Sequence, residues 1–143
     1  MRIAIIDDDR RIYEHLQTYL GELLGAAAEL TYFPSGEDFL RVWQPGAFDL
    51  IILDIFMDGI NGMDTAREIR KSDIEVRIVF STTSNEFASE SYEVGACYYL
   101  HKPFGKDRIK AMLDRIDLSQ IEKMRSVQLP DGSDIMLRSI LYA

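Results

Sequence analysis

Apolar residues fall along the chain in two alternating periods. A short run, Ile3, Ala4, Ile5 and Ile6, stops at Asp7, Asp8 and Asp9 and predicts a strand over residues 2–6 that is covered on both faces. Ile12, Leu16, Tyr19, Leu20, Leu23 and Leu24 then recur at helical spacing, with Asp9 placed to cap the first turn and Gly25 to end the helix. The same alternation repeats. Residues 29–33 predict a second strand, Ser35 opens a helix carrying Phe39, Leu40 and Trp43, and residues 50–53 predict a strongly apolar third strand ending at Asp54. A glycine-rich loop covers residues 58–62, and Met63, Ala66 and Ile69 mark a short helix. Residues 76–80 predict a fourth strand, and Thr83 with Glu86 three residues on reads as a capping box for a helix to about Val94. Residues 98–101 predict a fifth strand, and Ile109, Met112, Leu113 and Ile116 the stripe of a last helix.

Five strands alternating with five helices imply right-handed crossovers between parallel neighbours. The expected fold is α/β, a doubly wound five-stranded parallel sheet with helices on both faces, a flavodoxin-like three-layer sandwich. In such sheets ligands bind beyond the carboxyl ends of the strands, where the strand order switches. This domain should occupy residues 1–117. Residues 118–125 read as a polar linker, and residues 127–129 and 135–137, around Pro130-Asp131-Gly132, as a hairpin. The chain stops within a further apolar run, Ile140 to Ala143, as a fragment of a longer protein would.

Composition narrows the class. With 143 residues, 47% of them hydrophobic and 28% charged, the chain can bury a core without staples. Its one cysteine, Cys97, excludes an internal disulfide and any cysteine-built metal site. Four apolar residues before Asp7 are too few for a signal peptide or a membrane span, so the expected compartment is the cytoplasm, with no membrane partner. Residues 118–143 carry equal numbers of acids and bases, so the whole net charge of −8 belongs to residues 1–117, opposite in sign to a nucleic-acid footprint.

Some of that acidity is placed for chemistry. Asp7 and Asp8 follow the first predicted strand, Asp54 the third, Thr82 the fourth and Lys102 the fifth, all at one edge of one sheet. Alone, each is an ordinary cap or turn residue. Together, carboxylates that repel by about 4 kcal/mol for each close pair call for a bound cation. Hard oxygen donors with no His or Cys beside them suit Mg²⁺, which takes one or two carboxylates plus a phosphate. Asp54, with a flexible glycine-rich loop after it, is the candidate nucleophile for an acyl phosphate; Lys102 supplies a point charge and Thr82 a hydroxyl for the phosphoryl oxygens. A carboxylate already ionised needs no general base.

The stretches IAIIDDD, DLIILDIFMDGINGMD, RIVFSTTSNEFA and VGACYYLHKPF resemble the receiver domain of two-component response regulators, over roughly residues 1–117. The resemblance implies that Asp7 and Asp8 hold Mg²⁺, with Asp8 the more direct ligand, that the backbone carbonyl of Phe56 completes the site, and that Asp54 accepts a phosphoryl group from a sensor histidine kinase. It implies that Thr82 moves toward that group, that Lys102 pairs with it, that Tyr99 follows Thr82, and that the bond to Pro103 is cis. It places the output and homodimer surface on a helix over residues 86–94, a strand over 98–101 and a helix over 106–116. Two positions depart from the pattern: Asp58 stands where the family usually has proline, adding an acid to the loop, and Thr83 replaces a small residue beside the pocket.

The segment VQLPDGSDIMLRSILYA, residues 127–143, resembles the opening strands of the LytTR-type DNA-binding domain. This implies a transcriptional output, with DNA met only through elements beyond Ala143. Two alternatives remain. A free-standing receiver acting through protein contacts differs only in the tail. The Asp7-Asp8-Asp9 run is also similar to the start of haloacid-dehalogenase-type phosphatases, with Asp7 as nucleophile, although Arg11 stands where that motif wants Thr or Val and no paired acids follow Lys102.

Overall fold

The computed structural model describes residues 1–116. β1 (Arg2–Ile6), β2 (Glu29–Phe33), β3 (Leu50–Asp54), β4 (Arg77–Thr82) and β5 (Tyr98–His101) form one sheet in the order β2-β1-β3-β4-β5, every pair parallel. Between them run α1 (Arg10–Leu24), α2 (Gly36–Val42), α3 (Gly62–Arg70) and α4 (Ala88–Glu93). These elements lie in one compact unit, Met1–Lys110. Residues 106–116 form the fifth helix; its residues 106–110 belong to this unit, and residues 111–116 open the second, Ala111–Ala143.

The central strands are apolar along most of their length because both faces are covered. β3 is buried at every position, and β1 and β4 at all but their first. Ala4, Ile6, Ile51, Leu53, Ile78 and Phe80 pack with Phe39 of α2 and with Met63, Ala66 and Ile69 of α3. The other parity, Ile3, Ile5, Leu50, Ile52 and Val79, is equally buried and points to the opposite face. The edge strands β2 and β5 are only partly covered, and their sequences are more polar.

Capping follows the sequence closely at three helices. The Asp9 carboxylate accepts from the Arg11 N–H, Ser35 Oγ from the Asp38 N–H, and Asn61 Oδ1 from the Asp64 N–H. Gly25 ends α1 at a φ of 58°, a conformation that costs glycine little.

Three elements differ from expectation. α2 ends at Val42, so Trp43 is its extended C-cap and not a helical residue. β4 starts at Arg77 and runs through Thr82, later at both ends than residues 76–80. The Val76 N–H is already taken by Asp73 Oδ1 at 3.0 Å, whereas Ser81 and Thr82 pair with Asp54, Leu100 and His101. The Thr83–Glu86 capping box does not form, and α4 begins at Ala88 with no side-chain cap. Ser84 Oγ accepts the Glu86 N–H at 3.0 Å and Thr82 Oγ1 accepts the Ser84 N–H at 3.3 Å. These short-range bonds hold residues 82–87 in turns, so the helix expected over 86–94 shrinks to Ala88–Glu93. The expected linker at 118–125 and the hairpin beyond it lie outside the described residues, and so does the boundary at residue 117.

Candidate functional site

The strand order reverses between β1 and β3: the chain leaves β1 for β2 on one side and returns from β2 to β3 on the other. Asp7 and Asp8 follow β1 directly, and Asp54 ends β3, with Ile6 in register with Leu53. One carboxylate oxygen from each of the three lies within 4.8 Å of the others. Asp7 and Asp54 are buried and Asp8 is exposed, so the cluster opens to solvent on the Asp8 side.

Lys102, at the end of β5, reaches across to this cluster. Its Nζ is 2.8 Å from Asp7 Oδ2 and 3.6 Å from Asp54 Oδ2. Asp7 is fully engaged, because its Oδ1 accepts the Asp9 N–H at 2.9 Å. The Lys102 main chain is tied to β4 by a 2.7 Å bond from its N–H to the Thr82 carbonyl, and the Lys102–Pro103 peptide is cis.

Burial sets the protonation behaviour. Asp54 is pushed up to about 7, first by loss of water around it and then by the Asp7 charge; Lys102 and a hydrogen bond from the Phe56 backbone work the other way. Burial also raises Asp7, against its bonds to Lys102 and the Asp9 amide. Three acids sharing one small pocket with one ammonium leave negative charge in excess. The donor set of hard carboxylate oxygens therefore fits a divalent cation such as Mg²⁺.

The remaining candidates surround the cluster. Thr82 is fully buried at the end of β4. The Tyr99 hydroxyl donates to the Ser84 carbonyl at 2.6 Å, so Tyr99 and Thr82 hold the same turn residue by its two main-chain ends. Phe56 is half-exposed, its ring 5.4 Å from that of Phe87 in an edge contact that joins the loops after β3 and β4. Asp58 is exposed and lies outside the acidic cluster, and Thr83 is exposed as well.

Three residues around the site carry no local sequence signal of their role. Gly62 packs so tightly under β3 that a Cβ there would overlap the Asp54 carbonyl oxygen and stand 2.8 Å from Ile55 Cα. Glu37, on α2, accepts the Ile60 N–H at 2.8 Å and braces the loop after Asp54. Tyr32 donates its hydroxyl to the Asp7 carbonyl at 2.8 Å. In the sequence Gly62 stands in a glycine-rich loop that reads only as flexible, not as a close backbone approach.

Fold and site together define an α/β domain with flavodoxin-like strand order, whose switch point holds three carboxylates and an ammonium. A model of the response regulator receiver domain matches residues 3–114. The chain is 33% identical over 120 residues to the sensory transduction protein LytR of Staphylococcus epidermidis, covering 84% of this chain and 47% of that protein. It is also 33% identical over 122 residues to the sensory transduction protein LytT of Oceanobacillus iheyensis, covering 81% and 48%. Among solved structures, the response regulator protein TrrA of Thermotoga maritima, in complex with Mg(2+)-BeF, superposes with a TM-score of 0.71 at 33% identity, covering 80% of this chain and 97% of that one. The chain belongs to the response regulator receiver domain family. It spans about half the length of the curated relatives it matches. The family is a signalling switch rather than an enzyme of the usual kind, and the phosphatase alternative falls with that membership. Among the described residues, no helix is long and apolar enough to cross a membrane.

Proposed function

We propose that this domain is a phosphorylation-controlled switch in which Asp54 accepts a phosphoryl group from the phosphohistidine of a sensor kinase. One observation carries this reading: Asp7, Asp8 and Asp54 converge within 4.8 Å, while Lys102 lies in reach of both Asp7 and Asp54. An Asp54 carboxylate oxygen bonds to phosphorus as the bond from phosphorus to the donor imidazole nitrogen breaks, giving an acyl phosphate and a free histidine. Asp7, Asp8, Asp54 and the Phe56 carbonyl would hold Mg²⁺, which neutralises charge on the phosphoryl oxygens when bound. The domain supplies the rest of the transfer and the later hydrolysis itself. Lys102 and Thr82 donate to the phosphoryl oxygens, and Tyr99 follows through the Ser84 turn that it shares with Thr82.

The new contacts at Thr82 and Lys102 favour an active conformation that a minor population already samples, and the face of α4 and β5 reports it by homodimer formation. The output proposed for the whole protein is control of transcription in the cytoplasm. The LytR and LytT relatives and the likeness of residues 127–143 to a LytTR-type DNA-binding domain, joined through a linker at 118–125, support this. Labelled phosphoryl groups supplied from a phosphorylated sensor kinase should pass to the wild-type chain and not to Asp54→Asn, which keeps the fold. Transfer to Asp54→Asn at the wild-type rate would overturn the proposal.

A further inference from the structure

Asp8 reaches the acidic cluster with little to hold it. Asp7 is fixed by Lys102 and the Asp9 amide, and Asp54 is the buried last residue of β3, but the exposed Asp8 carboxylate makes no hydrogen bond or ion pair with a described residue. Its direction is therefore set by its own main chain. The carbonyl of Asp7 belongs to the peptide that joins Asp7 to Asp8, so the plane of that peptide decides where the Asp8 side chain starts. Tyr32 holds this carbonyl, its hydroxyl donating at 2.8 Å. The other polar end of Asp7, its N–H, goes to the Phe33 carbonyl at 3.1 Å. Both main-chain groups of Asp7 are thus anchored on β2, one by the strand and one by a side chain.

The Tyr32 ring is itself secured from α1. It lies 4.9 Å from the Tyr13 ring, and the Arg10 guanidinium stands 5.4 Å from the Tyr32 centroid and 5.7 Å from that of Tyr13. Arg10 is the first residue of α1 and is paired with Glu14 at 3.6 Å. This aromatic pair and its cation join the edge strand β2 to the first turn of α1. The hydroxyl, not the ring, makes the contact with Asp7, so phenylalanine would preserve the stack and lose the bond.

We propose that Tyr32 is a positioning residue for the cation site. Its hydroxyl fixes the peptide between Asp7 and Asp8 and so aims the Asp8 carboxylate, with Tyr13 and Arg10 keeping its ring in place. The inference rests on the reading of Asp7, Asp8 and Asp54 as the cation site. Partners behind a metal ligand tune affinity without touching the metal, and a single neutral hydrogen bond corresponds to an effect of about 3- to 10-fold.

The test is a titration of the whole chain with Mn²⁺, counting free ion by electron paramagnetic resonance, in the wild type, Tyr32→Phe, Asp8→Asn and the double variant. Thermal unfolding without cation is followed in parallel. Tyr32→Phe should weaken binding about 3- to 10-fold while remaining cooperatively folded, and should weaken it less than about twofold when Asp8 is already Asn. Unchanged affinity in Tyr32→Phe, or the same loss in both backgrounds, would overturn the role of Tyr32 and leave the cation site standing. A wild-type chain that binds no Mn²⁺ would overturn the cation site and this inference together.

Discussion

The Lys102 ammonium stands closer to Asp7 than to Asp54, 2.8 Å against 3.6 Å. Before any phosphoryl group arrives, the lysine is thus engaged chiefly by the carboxylate that is not the proposed acceptor. Its transfer toward Asp54 is one of the contacts that would distinguish the two states of the switch. Asp7 is the buried member of the pair, its side chain only 2% exposed against 13% for that of Lys102.

Lys102→Met leaves Asp7 buried without its counter-charge, and breaking such a pair should cost about 2–4 kcal/mol of stability at pH 8. The loss should shrink at pH 5, because burial already raises the Asp7 carboxyl and removal of the lysine raises it further, so that a proton can take the lysine's place. Urea unfolding at the two pH values measures the difference. An equal loss at both would show that the Asp7 charge is not what Lys102 compensates.

Asp54 sets a second pH dependence. Raised from 3.8 to about 7 in the fold, it binds more proton folded than unfolded between those values. The stability it contributes is therefore present below pH 3.8 and is lost as pH rises to 7. Asp54→Asn should accordingly stabilise the cation-free domain at pH 8, by on the order of 2–4 kcal/mol, with the gain fading toward acid. Mg²⁺ needs the ionised carboxylate, so its affinity for the wild type should fall as pH drops below about 7 and level off above it. Calorimetric titration across this range should find affinity rising with pH; a flat profile would contradict the assignment.

Gly62 offers a steric test that leaves every charge in place. A Cβ at this position meets main-chain atoms of Asp54 and Ile55, which cannot turn aside as a side chain would. Gly62→Ala should cost about 1–3 kcal/mol and displace the end of β3, weakening cation binding as well. Gly21→Ala, where nothing lies within 4 Å of the added carbon, is the control and should leave cation affinity unchanged. Equal behaviour of the two variants would show that the close approach under Asp54 has no consequence.

What could be read from the sequence follows a physical division. β1, β2 and β5 have the bounds their apolar runs predict, and Asp9 and Ser35 cap their helices, because periodicity and local capping are short-range properties. The strand-end rule likewise brought Asp7, Asp8 and Asp54 to one place. The failures begin where local signals compete. Thr83 and Glu86 carry the spacing of a capping box, but Ser84 takes the Glu86 amide first. The contacts of Tyr32 with Asp7, Glu37 with Ile60 and Gly62 with Asp54 join residues from separate elements or loops, and no spacing along the chain encodes them. The preference of Lys102 for Asp7 over Asp54 was hidden for the same reason, since it depends on how β5 lies across the sheet.

The most direct test of the account is intact-protein mass spectrometry of the chain incubated with Mg²⁺ and a small acyl phosphate donor, followed by mapping of the modified residue. The account predicts a mass gain of one phosphoryl group that requires Mg²⁺, maps to Asp54, and disappears in Asp54→Asn. Modification that proceeds without a divalent cation, or that maps to Asp7 or Asp8, would contradict it.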